Sequence, residues 1–70
     1  MRAGTKLKLL LLRYSVLIDM NEQEQMIITL KDRVFGEEAQ FVGKTYSVLI
    51  GKAYSHMLRI LKEEERRLVP

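Results

Sequence analysis

The chain has no cysteine and no tryptophan, one proline, one histidine and four glycines among its 70 residues. Each scarcity excludes something. Without cysteine there is no disulfide framework, no thiolate metal site and no thiol nucleophile. A single histidine, His56, cannot build a multi-histidine metal centre. Neither a G-x-x-x-x-G-K-[ST] nor a G-x-G-x-x-G phosphate loop occurs. Asp19, Glu22 and Glu24 lack the central glycine of a calcium loop. With no catalytic constellation in view, the expectation is a non-enzymatic protein with no cofactor and no metal.

What is present points to a folded chain. Apolar residues make up 47% of it, more than a disordered chain carries. Seventy residues is one small domain, near the lower limit for a self-sufficient core. Twelve basic against nine acidic side chains give a formal charge of +3. That balance permits an acidic protein, a membrane surface or nucleic acid as partner and selects none. Arg2, Lys6 and Lys8 precede the apolar stretch Leu9–Leu12, which briefly resembles a signal peptide. Arg13 interrupts that run, Asp19 ends it, and no small-residue cleavage site follows. The run is too short to span a bilayer, so it reads as a core segment, and the absence of cysteine is compatible with the reducing cytosol expected for the protein. A peripheral membrane anchor built on Lys6, Lys8 and Leu9–Leu12 is the remaining reading of it.

Apolar residues recur at helical spacing on both sides of Gly36. Before it the series is Leu9, Leu12, Val16, Met20, Ile27, Leu30 and Val34; after it, Val42, Tyr46, Leu49, Ala53, Met57 and Ile60. Steps of three and four are the period of one helix face. The second segment has Glu37 and Glu38 where a helix start favours acid, Arg66 and Arg67 where its end favours base, and Pro70 beyond. The spacing predicts a helix over about 37–67, a turn over 35–37 and a first helix over about 6–34. Asn21 with Glu24 has capping-box spacing, so a bend at 19–21 is also consistent. Residues 7–18 are apolar on nearly every side, and a buried strand looks like a buried helix there. The pentapeptide Tyr-Ser-Val-Leu-Ile occurs twice, at 14–18 and 46–50, with flanks that do not match.

The predicted architecture is therefore all-α: an antiparallel two-helix hairpin, one domain over 1–70. On the second helix Tyr46, Leu49, Ile50, Ala53, Tyr54, Met57 and Leu61 fall in an apolar arc wider than one hairpin contact covers. Such a surface marks an interface, so the hairpin should dimerise or dock on a helical protein, coiled-coil fashion, to complete a bundle. The residues expected to bind that partner are Leu12, Val16, Met20, Tyr46, Leu49, Ile50, Ala53, Tyr54, Met57 and Leu61, some of them packing the hairpin itself. Gly43, Ser47, Gly51 and Ser55 form a small-residue ridge, either a groove for another helix or tight packing inside the hairpin. The opposite face carries Lys44, Lys52, Arg59, Lys62 and Arg66. That stripe is a solvated face or, as the alternative function, the contact of a small nucleic-acid-binding regulator. His56 beside Lys52 reads as a solvated surface histidine.

The segment Arg33-Val-Phe-Gly-Glu-Glu-Ala-Gln-Phe41 resembles the turn of a small family of type III secretion proteins. These are the E-component co-chaperones that bind the needle subunit together with a second chaperone. The likeness lies in Gly36, Glu38, Ala39, Gln40 and Phe41 and covers about a third of the chain. The resemblance implies an antiparallel helical hairpin without enzymatic activity, whose apolar face shields a partner from premature polymerisation. The expected function is a non-catalytic protein–protein interaction module, a small chaperone or assembly subunit.

Overall fold

The computed structural model of the chain describes residues 1–68 and replaces the hairpin with a mixed α/β fold. Helix α1 (Ala3–Arg13) runs directly into strand β1 (Tyr14–Met20), followed by β2 (Met26–Asp32), β3 (Glu38–Gly43) and helix α2 (Tyr46–Leu68). The strands form one antiparallel sheet in the order β1-β2-β3. Val16 lies opposite Leu30 and Ile18 opposite Ile28; across the next ladder Ile28 meets Phe41 and Leu30 meets Ala39.

Both helices cover one face of this sheet. Leu10, Tyr14, Ile28, Leu30, Leu49, Ile50, Ala53 and Met57 are buried together, with Ala3, Leu7, Leu9, Val16, Met26, Phe41 and Tyr54 packed around them. Alternation decides the sides, because successive strand residues point to opposite faces. Ile28, Leu30 and Asp32 are buried, while Lys31 between them is exposed. The other face carries Ser15, Leu17, Asp19, Ile27, Thr29, Lys31, Glu38, Gln40 and Val42, and no helix covers it.

The all-α reading, the helical-hairpin domain and the coiled-coil expectation are thus corrected. The stripe from Leu9 to Val34 kept helical phase only because apolar residues are dense there. A strand reads the same residues with period two. Asn21, whose spacing to Glu24 matches a capping box, instead folds a hairpin loop. Its Oδ1 accepts from the N–H groups of Gln23 (3.0 Å) and Gln25 (2.9 Å), and its own N–H donates to the Gln25 carbonyl. Glu24 takes a positive φ of 60° there. The turn at Gly36 joins two strands rather than two helices. Asp32 Oδ1 accepts from Val34 N–H at 2.8 Å and Phe35 N–H at 3.2 Å, and Gly36 closes the loop at φ 75°.

The second helix begins nine residues later than 37, at Tyr46. Glu38, Ala39, Gln40 and Phe41, the start of a helix in the type III secretion resemblance, belong to β3. Thr45 caps α2 by accepting from Val48 N–H at 3.2 Å. Gly43 ends β3 instead of joining a helical ridge. A Cβ there would lie 3.1 Å from the backbone nitrogen of Leu49, so its smallness lets α2 pack against the strand end. Arg66 and Arg67 do sit in the last turn of α2; Pro70 lies outside the described residues.

Candidate functional site

The ten residues expected at an interface divide sharply. Leu49, Ile50, Ala53 and Met57 are buried in the chain's own core, and Val16 and Tyr54 pack against that core. Tyr46 and Leu61 are exposed on α2, Leu12 on α1 and Met20 on β1. The wide arc on α2 is real, but the sheet and α1 together cover most of it. Exposed apolar side chains remain on α2, at Val34 and Phe35 of the β2–β3 turn, and in a run around the α1–β1 junction and along β1: Leu11, Leu12 (80% exposed), Leu17 (64%), Ile18 (38%) and Met20 (59%).

β1 is also an edge strand, so one side of its backbone has no neighbour. The hydrogen bonds show which groups face outward. Arg33 N–H donates to the Arg13 carbonyl, and Asn21 N–H to the Gln25 carbonyl, each at 3.0 Å. In an antiparallel ladder these directed pairs recur every second residue. Ser15, Leu17 and Asp19 therefore bond to β2, while Tyr14, Val16, Ile18 and Met20 present their backbone groups to the open side. Tyr14 N–H is taken by the Leu10 carbonyl, and Met20 N–H by Asp19 Oδ1 at 2.8 Å. Val16 and Ile18 remain, each with donor and acceptor directed outward.

The opposite edge, β3, is more polar, and one of its outward carbonyls is taken. Asp32 N–H donates to the Glu37 carbonyl, which sets Glu38, Gln40 and Val42 facing outward on β3. Lys52 Nζ donates to the Val42 carbonyl at 2.7 Å, and Gln40 Nε2 turns to Thr29 Oγ1 at 3.1 Å. Charged and polar side chains on an edge discourage further pairing. β1 carries one charge, Asp19, and no lysine or proline.

Two other features define the rest of the surface. Arg13, at the end of α1, clamps Asp32 of β2 through Nε and Nη2 at 3.0–3.2 Å and also binds Glu64 of α2. The guanidinium hydrogen bonds hold the Asp32 carboxyl below its usual range against the opposing effect of burial, and hold that of Glu64 down in the same way. Arg13 is correspondingly raised. The buried Tyr14 hydroxyl has no hydrogen-bond partner among the described residues, and burial pushes its pKa up. This cluster ties three elements together, and nothing about it presents a reactive group to solvent.

The second feature is an open groove of about 580 Å³ between β3 and α2, lined by Phe41, Gly51, Lys52, Ser55, His56 and Arg59. His56 is half-buried, not a fully solvated histidine. Its ring lies 5.2 Å from that of Phe41, and Arg59 Nη2 is 3.2 Å from its Nδ1. Burial, and then the Arg59 charge, lower its pKa. Of the basic stripe, Lys52 and Arg59 reach this groove, whereas Lys44, Lys62 and Arg66 are exposed elsewhere.

The outward-facing role of Leu17 and Ile18 escaped the sequence reading. A partial signal for it was the polar Ser15 and Asp19 alternating with Val16, Ile18 and Met20, which Leu17 interrupts. Among the described residues no group of His, Asp or Glu side chains could hold a metal ion, and no helix is long and apolar enough to cross a membrane. Compared with known proteins, the chain matches no family model, no curated protein and no solved structure.

Proposed function

We propose that this chain is a non-catalytic protein–protein interaction module that captures an extended segment along β1. The observation that carries the reading is an edge strand with outward donors and acceptors at Val16 and Ile18, flanked by exposed Leu17 and Met20. Strand addition supplies affinity through main-chain hydrogen bonds and selectivity through alternate side chains. The partner-facing element is thus a strand edge with the end of α1 beside it, rather than a helix arc. A chain without cysteine needs no oxidising compartment, and a cytoplasmic setting belongs to the same proposal.

Selection of a displayed library of short random peptides against the dilute chain tests this. Peptides alternating β-branched or aromatic residues should be enriched, and Leu17→Lys should abolish their binding while Lys52→Gln leaves it intact. Enrichment of no peptide, or of peptides that bind the Leu17→Lys variant equally well, would contradict the reading.

A nucleic-acid contact is the second reading, supported by the groove that joins Lys52 and Arg59 to Phe41 and His56. Cations beside an aromatic platform suit a single strand. Replacing Lys44, Lys52 and Arg59 with glutamine removes retention on RNA under this reading, and such retention falls steeply with salt.

A further inference from the structure

Resting on the interaction-module reading, we infer that the segment captured by β1 is β1 of a second copy of this chain, paired antiparallel about Leu17. The argument is register. Antiparallel pairing centred on Leu17 sets Val16 opposite Ile18 of the second copy and Ile18 opposite its Val16. These are the two residues whose backbone donors and acceptors both face outward. Four main-chain hydrogen bonds then form and no outward N–H is left over. A centre shifted by one residue, to Val16 or Ile18, matches one of them to itself and sets the other against Tyr14 or Met20. The N–H groups of Tyr14 and Met20 are already engaged.

The side chains agree with the same register. On the helix-covered side every opposed pair is apolar: Tyr14 with Met20, Val16 with Ile18, and their symmetry mates. On the open side Leu17 meets Leu17, and Asp19 faces Ser15 instead of a second Asp19, so the strand's one charge meets a hydroxyl and no like charge. Met20, exposed in one copy, comes beside the α1–β1 junction of the other, where Leu12 is exposed. The product is a continuous six-stranded sheet with four helices on one face. Its two outer edges are both β3, where Lys52 takes the Val42 carbonyl. Pairing β1 with itself leaves only the edges that carry Glu38 and Gln40, whose charge and polarity discourage growth beyond two copies.

Sedimentation of the full chain over a wide dilution range tests the pairing. A reversible dimer is expected. Ile18→Pro removes an outward N–H and no bond to β2, so the fold survives, as circular dichroism would verify. Two hydrogen bonds per dimer are lost, and the dissociation constant should rise about thirtyfold. Leu17→Lys, which sets two lysines against each other, should likewise raise the dissociation constant. Because the chain has no cysteine, single substitutions report register directly. Leu17→Cys should form a disulfide-linked dimer under mild oxidation, since facing residues of a non-hydrogen-bonded pair lie within bridging distance. Ser15→Cys and Asp19→Cys should not. A dissociation constant unchanged in Ile18→Pro and Leu17→Lys, or cross-linking that is best at Ser15 or Asp19, overturns the proposal. A monomer at every concentration overturns it too. In that case peptide selection still decides the parent reading: enriched peptides would leave a different strand as the partner, and their absence would end both.

Discussion

Asp32 is buried at 5% exposure inside a mainly apolar core, and its charge is tolerable there only because Arg13 and two backbone N–H groups meet it. Breaking such a pair from one side strands the other charge. Arg13→Met should therefore destabilise the fold by about 3 kcal/mol in urea unfolding. The pH dependence follows from the direction of the shift. Asp32 is ionised more readily when folded than at its ordinary value of 3.8, so the unfolded chain binds a proton first as acid is added. This contribution to stability is fully present above the ordinary carboxylate range and is lost as pH falls through the folded value. In Arg13→Met burial acts on Asp32 without its main counterweight, and this loss of stability in acid should shrink or reverse. Equal acid sensitivity of the two proteins would show that the clamp does not hold Asp32 down.

At the scale of the element, the two copies of Tyr-Ser-Val-Leu-Ile are instructive. At 14–18 they form most of β1, and at 46–50 the first turns of α2. A pentapeptide in which Tyr, Val and Ile lean toward strand and Leu toward helix carries no decisive propensity of its own. Context settles them: Thr45 caps the second copy, while the Asn21 loop folds β2 back onto the first. α2 was legible in the sequence from Tyr46 onward because its apolar arc is long and periodic. β3 was absorbed into it because Val42 happens to fall in helical phase with Tyr46. The sheet was hidden by the density of apolar residues in 7–34, where both periods fit. The small residues separate in the same way. Gly43 lies where a side chain would press on Leu49, whereas a Cβ on Gly51 would meet nothing within 4 Å. Gly43→Ala should cost roughly 1–2 kcal/mol by overpacking, and Gly51→Ala should stabilise α2 by up to about 1 kcal/mol. Thermal unfolding of the two variants checks the opposite signs, and two losses of similar size would argue against the packing described.

For the whole molecule, the uneven treatment of the two sheet edges carries the functional account. A single layer of two helices shields one face, the β3 edge carries Glu38, Gln40 and the Lys52 contact to the Val42 carbonyl, and β1 is left open with apolar side chains on both of its faces. Hydrogen exchange resolved at single amides, followed over a dilution series, tests this most directly. The account predicts that Leu17 and Asp19, bonded to β2, exchange slowly at every concentration. Val16 and Ile18 should exchange fast when dilute and become protected as the concentration rises, while Glu38 and Gln40 on the outer side of β3 stay fast throughout. Protection of Val16 and Ile18 that does not change with concentration, or appears first on β3, would contradict the claim that β1 is the strand this protein uses to bind.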